Sequence, residues 1–182
     1  MKIVPIVLAA VLMPLWGQEI KLPANLEKLA AKADETVDVS LDGSMLRLAG
    51  RFLSDKDEDS AKTKRVLSGL QSITVKSFEF SSEGEYDKSD VDVVRAQVQG
   101  PQWSRIVGVT SKKDGENADV YFKDAGNGNL GGIVVICAEP KELTIVSIVG
   151  TLDPSQLADL GGQFGVPKLN MGIHVGGKKD AR

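Results

Sequence analysis

Two neighbouring β-rich segments, 131–138 and 143–150, are apolar at almost every position, and this feature constrains the fold most. Successive side chains of a strand point to opposite faces, so a sheet with one solvated face alternates apolar and polar residues. Neither segment alternates, which predicts a sheet that is covered on both faces. The opposing sets are Ile133, Val135 and Cys137 against Val134, Ile136 and Ala138, and Ile145 and Val149 against Val146 and Ile148.

Turn signals divide residues 103–150 into four strands. Asp114-Gly115 favours a tight hairpin, and Gly126-Asn127-Gly128-Asn129 favours a longer one. Pro140 stands where a type I turn prefers proline. The segments 103–111, 117–123, 131–138 and 143–150 are therefore predicted to form a four-stranded antiparallel meander.

The rest of the chain has the spacing of helices and two further strands. Apolar periodicity predicts helices at 24–33, 44–53, 61–71, 90–99 and 155–164, and strands at 37–41 and 73–80. Ser89 is expected to cap the fourth helix. In the second strand the apolar side chains change from one face to the other at Ser77-Phe78, which indicates a bulge. The stripe of the second helix consists of Met45, Leu48, Ala49 and Phe52, and that of the fourth consists of Val91, Val94 and Val98. These elements predict a single α+β domain at 19–166, with helices packed on an antiparallel-rich sheet and a flexible tail at 167–182.

The second face of the sheet has two possible covers. The helices at 90–99 and 155–164 can cover one face, and those at 24–33, 44–53 and 61–71 can cover the other. Alternatively, part of a face stays open and binds a partner protein or a second copy, as exposed apolar patches do. The candidate residues of that partner face are Val134, Ile136, Val146 and Ile148.

The first 18 residues have the features of a secretory signal peptide. Lys2 precedes an apolar run from Ile3 to Trp16, which is too short for a membrane span of about 20 residues. Cleavage near Gly17 or Gln18 would release an exported, periplasmic protein. Membrane association is expected only if this segment stays uncleaved.

Composition excludes several classes of protein. Lys and Arg number 22 against 25 Asp and Glu, and this net charge of −3 disfavours nucleic-acid binding. One cysteine and one histidine exclude a disulfide framework and a Cys/His zinc site. Cys137 is expected to be a small buried hydrophobe, and His174 has no catalytic motif beside it. No cofactor is predicted.

Three motif matches fail on their context. Gly126, Gly128 and Gly131 match a dinucleotide-binding fingerprint, but a strand follows where that site needs a helix, so a hairpin turn is predicted. The glycines and lysines at 172–179 lack the Ser or Thr and the helix of a phosphate-binding loop. Asp55, Asp57 and Asp59 have the opening spacing of a calcium loop without its glycine and final glutamate, so no metal site is predicted.

An acidic cluster supports a different function. A hydrolase needs a pair of carboxylates in fixed, partly buried geometry. Acidic residues near helix N-termini are more often helix caps than catalytic groups, so no catalytic residue is assigned. The carboxylates in this region are Glu79, Glu83, Glu85, Asp87, Asp90 and Asp92.

Trp103 is expected to anchor the core, or to form a contact patch with Arg105.

Four stretches resemble a known bacterial family. They are residues 69–75, 103–107, 131–135 and 145–153, and the similarity runs from about Leu26 to Leu169. The family is the one catalogued as domain of unknown function 4252. The resemblance implies an exported envelope protein of Gram-negative bacteria in a context of envelope signalling. Some relatives look like lipoproteins, but this chain lacks the cysteine that lipid attachment needs.

These observations favour an exported, non-enzymatic interaction module, because no catalytic motif lies in the structural context that its chemistry needs. A protein partner or self-association is expected. The alternatives are a hydrolase-like enzyme that uses the acidic region from Glu79 to Asp92, and a structural protein of the envelope.

Overall fold

A computed structural model describes residues 20–153, except 55 and 114. The predicted signal peptide, the helix at 155–164, the tail and His174 lie outside the described residues. The helices are α1 (Ala24–Glu27), which continues into a 3₁₀ turn (Lys28–Ala31), α2 (Gly43–Arg51), α3 (Glu58–Gly69) and α4 (Lys88–Ala96). The strands are β1 (Glu35–Asp42), β2 (Leu70–Glu79), β3 (Trp103–Thr110), β4 (Asn117–Gly126), β5 (Asn129–Ala138) and β6 (Glu142–Leu152).

The six strands form one sheet in the order β1-β2-β6-β5-β4-β3, and every neighbouring pair is antiparallel. This confirms the α+β class and the meander of β3 to β6. Because β2 pairs with β6, the apolar strands β5 and β6 lie in the interior of the sheet. β1 and β3 form its two edges.

Helices cover both faces of the sheet. On the face that we call the α4 face, Val91, Val94 and Val98 pack with strand residues and with Leu26 and Leu29. On the opposite face, the α3 face, Leu46, Val66 and Leu67 pack with Ile73, Val146 and other strand residues. The stripe predicted for the fourth helix is thus confirmed. The prediction that all three N-terminal helices share a face is wrong, because α1 lies with α4.

The register also corrects the predicted partner face. Val135 pairs with Val146 and Ile133 with Ile148, so Val146 and Ile148 lie on the α3 face. Val134 and Ile136 point to the α4 face, where both are fully buried. The four residues therefore cannot form a single surface, because neighbouring positions of a strand point to opposite sides.

A row of six valines crosses the α3 face, one from each strand. Side chains that pair directly across strands lie on the same face within contact distance, so the row is continuous. β-branched side chains pack well on a pleated surface, which explains the choice of valine. In spatial order the residues are Val39, Val75, Val146, Val135, Val120 and Val107.

The hairpin predicted from the glycine motif is present. Gly126, Asn127 and Gly128 all have positive φ between β4 and β5, which glycine and asparagine tolerate best. The connection from β3 to β4 runs over 111–116 and is longer than the two-residue turn predicted there.

The bulge of β2 lies at its start and not at Ser77-Phe78. The register shifts between Leu70 and Ser72, whereas Ser77 and Phe78 pair regularly with Thr144 and Leu143. The change of apolar face along β2 has another cause. Both faces of the sheet are covered, so Ile73 is buried on the α3 face and Phe78 on the α4 face of one regular strand.

Helix starts follow one pattern. Asp42, Asp57 and Asp87 cap α2, α3 and α4, and each side chain accepts a hydrogen bond from a backbone N–H of the first turn. The cap of α4 is therefore Asp87, and Ser89, predicted as the cap, donates its N–H to Asp87.

Two glycines allow the backbones to meet where β2 begins and β6 ends. A Cβ at Gly150 would lie 2.5 Å from the carbonyl oxygen of Gly69 and 2.6 Å from the Cα of Leu70. A Cβ at Gly69 would meet the carbonyl oxygen of Thr151. Backbone atoms cannot move aside as a flexible side chain can, so both positions require glycine.

We predict that Gly150→Ala lowers the free energy of unfolding by about 1–3 kcal/mol, the usual cost of overpacking. Urea denaturation monitored by circular dichroism measures it. Gly100→Ala is the control, because a Cβ there has nothing within 4 Å. Equal stability of the two variants would contradict the proposed backbone contact.

Candidate functional site

Three carboxylates of the acidic region from Glu79 to Asp92 make separate structural contacts. Asp87 caps α4, and the backbone and side-chain hydrogen bonds of Ser89 lower its pKa. Asp92 contacts Arg95 at 2.8 Å, and Asp90 accepts a hydrogen bond from Asn25 Nδ2 at 3.3 Å. A general acid needs a raised pKa, so the shift at Asp87 has the wrong direction for that role.

Two open clefts lie among the described residues. One, of about 730 Å³, lies between the 3₁₀ turn and the loop before α4, where Lys28, Lys32 and Lys88 alternate with Glu85, Asp87 and Asp90. The other, of about 540 Å³, lies between α1 and β1–β2 and contains the Lys76–Asp38 ion pair. Both clefts contain acidic and basic side chains, so neither has the single sign of charge that would favour a charged ligand.

The most buried charged group of the described chain is Asp119 on β4. Its side chain is 5% exposed and contacts Arg95 Nε at 2.8 Å and Arg105 Nη2 at 2.5 Å. Burial opposes the charge of Arg95, but hydrogen bonds to Asp92 and Asp119 outweigh it and raise the pKa of Arg95. The cluster joins α4 to β3 and β4 by paired charges.

Gly108 makes the contact between Arg105 and Asp119 possible. Gly108 pairs with Asp119 across the strands, and a Cβ at this position would overlap the guanidinium of Arg105. The Arg105 side chain thus lies over the glycine to reach the carboxylate. Sequence reasoning missed Asp119, because a single acid in a strand resembles a solvent-facing residue and Arg95 is 24 positions away.

We predict that Asp119→Asn destabilises the protein by about 3 kcal/mol, because two arginines lose their buried partner. Asp92→Asn, at a carboxylate that is 68% exposed, is expected to cost less than about 1 kcal/mol. Chemical denaturation of both variants tests the difference. Similar losses would show that Asp119 does not hold the cluster together.

Cys137 is half-buried on the α3 face. Burial raises its pKa, and the nearby carboxylates of Glu139 and Glu142 raise it further. A nucleophilic cysteine needs the opposite shift, because the thiolate is the reactive form. The environment thus fits a structural role, although the side chain is half-buried where the sequence predicted a buried one.

Trp103 packs against the α4-face cluster. The cation beside it is Lys123, whose Nζ lies 5.9 Å from the ring centroid, and not Arg105. Arg105 instead pairs with Asp119, so the predicted Trp103–Arg105 patch is not formed.

Helix α2 presents an apolar surface to solvent. Its buried side is Leu46 and Gly50. The residues on its outer side, Met45, Leu48 and Phe52, form what we call the α2 ridge. Phe52 is 84% exposed and Leu48 is 51% exposed. Isolated apolar side chains on a surface are ordinary, but three in line at helical spacing form a contact surface.

The sequence predicted Met45, Leu48, Ala49 and Phe52 as one stripe of this helix, and the structure places that stripe on the solvent side. Apolar periodicity identifies which side chains share a side of a helix, and the larger apolar set is expected to face the core. In α2 the smaller set, Leu46 and Gly50, faces inward, because Asp42 both ends β1 and caps the helix and so sets its rotation.

A comparison of the sequence with protein families gives one match. A profile described as domain of unknown function (DUF4252) matches residues 29–160. The chain belongs to this family. No curated protein and no solved structure matches the chain.

The DUF4252 match spans α3, α4 and all six strands, with the α2 ridge and the Asp119 cluster. The membership expected from the resemblance is thereby confirmed. The family description carries no activity and no site residue.

The described part of the chain contains neither a cluster of metal ligands nor a membrane-spanning helix. It holds no group of three or more His, Cys, Asp or Glu side chains placed to bind a metal ion. Asp57, from the calcium-like spacing, accepts a hydrogen bond from the backbone N–H of Ser60 at 2.9 Å. Asp55 lies outside the described residues. No helix within 20–153 is long and apolar enough to cross a membrane.

Proposed function

We propose that this DUF4252 protein is an exported, non-enzymatic binding module that docks its partner on the α2 ridge. The exposure of Phe52 and Leu48 in line on one helix is the observation that carries the proposal. A large exposed aromatic side chain such as Phe52 can anchor a contact, because a partner that removes its apolar area from water gains free energy.

The helix holds the ridge rigidly. Asp42 caps α2 through the backbone N–H groups of Ser44 and Met45, at 2.7 and 2.9 Å. Leu46 is buried beneath the helix among residues of the α3 face. A surface ordered before binding loses little conformational entropy when its partner arrives.

The export part of the proposal comes from the N-terminal segment, with Lys2 followed by the apolar run to Trp16. The non-enzymatic part is supported by Asp87 and Asp92 of the acidic region, which serve as a helix cap and as an ion-pair partner of Arg95. The hydrolase and the structural envelope protein gain no specific support from the geometry.

We predict that Leu48→Asp with Phe52→Asp abolishes partner binding and changes the free energy of unfolding by less than about 0.5 kcal/mol, since both side chains are exposed. A photo-crosslinking amino acid at position 48 of the full chain, in its native cells, should form adducts that Phe52→Asp removes. Val93, 53% exposed on α4, is the matched control position. Identical adducts at 48 and 93 would contradict a specific ridge.

We predict that protein isolated from native cells begins at Gln18 or Glu19, because cleavage follows Gly17 or Gln18. N-terminal sequencing of the envelope fraction tests this. An intact Met1 in a cytoplasmic fraction would remove the export part of the proposal and leave the ridge part standing.

A further inference from the structure

The charge around the α2 ridge differs from that of the whole chain. Helix α2 contains Arg47 and Arg51 and no acidic residue, and both arginines are exposed. From residue 43 to residue 69 there are six Lys and Arg side chains and four Asp and Glu, whereas the whole chain has a net charge of −3. Asp42 caps this helix and the acidic residues at 55–59 follow Phe52, so the basic character is confined to the Arg47–Arg51 row of α2 itself.

The arginines flank the ridge on one side. At 100° per residue, Arg47 and Arg51 precede Leu48 and Phe52 by one position each, so they form a parallel row beside the apolar one. An apolar row with a basic row beside it is typical of helices that lie in the interface of a lipid bilayer. Phe52, at the end of α2, extends furthest into solvent.

A second copy of the chain fits this surface poorly. A two-fold contact between antiparallel ridges would bring the two arginine rows together, and like charges repel. A stable protein interface also buries about 800 Å² from each partner, with some 20–30 residues a side. Three apolar side chains on a nine-residue helix fall short of that. A bilayer has no such requirement, because acyl chains fill any shape.

We propose that α2 docks the protein on an anionic lipid surface, with Leu48 and Phe52 among the acyl chains and Arg47 and Arg51 at the headgroup phosphates. This inference rests on the proposed function, since it names the partner of the same ridge. The contact is peripheral, and it needs no lipid attachment and no membrane-spanning helix. Basic side chains near an anionic surface add attraction that salt weakens.

Vesicle flotation of the full chain tests the proposal. Vesicles of phosphatidylcholine mixed with phosphatidylglycerol should bind the protein, and phosphatidylcholine alone should bind it at least about tenfold more weakly. Leu48→Asp with Phe52→Asp should lower binding to the mixed vesicles at least about tenfold, because two apolar side chains no longer insert. Arg47→Gln with Arg51→Gln should remove the preference for phosphatidylglycerol, and Val93→Asp should change nothing.

A local measurement separates the ridge from the apolar segment at residues 3–16, which all variants share. Brominated phosphatidylglycerol quenches tryptophan that enters the acyl region, so in a chain with Trp16→Phe, where Trp103 is a shared background, Phe52→Trp should be quenched strongly and Val93→Trp should not. Equal quenching at both positions would overturn the proposal, as would flotation that the ridge variants leave unchanged.

The outcomes also separate this inference from the proposed function. If position 48 crosslinks to a protein and vesicle binding is independent of the ridge, the lipid surface is wrong and the binding module stands. If sedimentation without lipid shows a dimer that Phe52→Asp abolishes, a second copy occupies the ridge and the lipid proposal is overturned. If neither crosslinking nor flotation depends on the ridge, both proposals fail.

Discussion

The structure depends on the burial of β5 and β6 from both sides. Each buried Val or Ile contributes roughly 1.5–3 kcal/mol only if water is excluded from its own face. The chain order supplies both covers. The connection from β1 to β2 holds α2 and α3 on one face. β2 and β3 lie on opposite sides of the β6-β5-β4 block, so the connection between them must cross the sheet, and α4 covers the other face on the way.

The Asp119 cluster fixes where that crossing ends. Apolar packing of Val91 and Val94 holds α4 against the sheet but does not select one position along it, because such contacts are non-directional. The Arg95–Asp119 pair, at 2.8 Å, requires one position and one helix rotation. Arg105 completes the pairing from the edge strand, so α4, β4 and β3 are joined by charges that are costly to separate.

Local patterns predicted the meander and the α4 stripe, because strand alternation, turn residues and the spacing of Val91 and Val94 act over a few positions. The side of the sheet on which α1 lies depends on the path of the whole chain, and the direction of the α2 ridge depends on the junction between β1 and α2. The predicted partner face failed for the same reason, since it combined Val134 with Val146 before the register was known. The Asp119 cluster was missed because its charges meet only in three dimensions.

The outward direction of the ridge follows from chain geometry and not from hydrophobicity. No residue separates β1 from α2, so Asp42 ends the strand and caps the helix, which fixes the helix rotation relative to the sheet. A Cβ at Gly43 would lie 3.3 Å from the carbonyl oxygen of Gln71, so the helix start already sits close to β2. With that rotation set, Leu46 must point inward and Leu48 must point outward. Polar side chains at 48 and 52 would satisfy the fold equally well, so a requirement outside folding best explains why these positions are apolar.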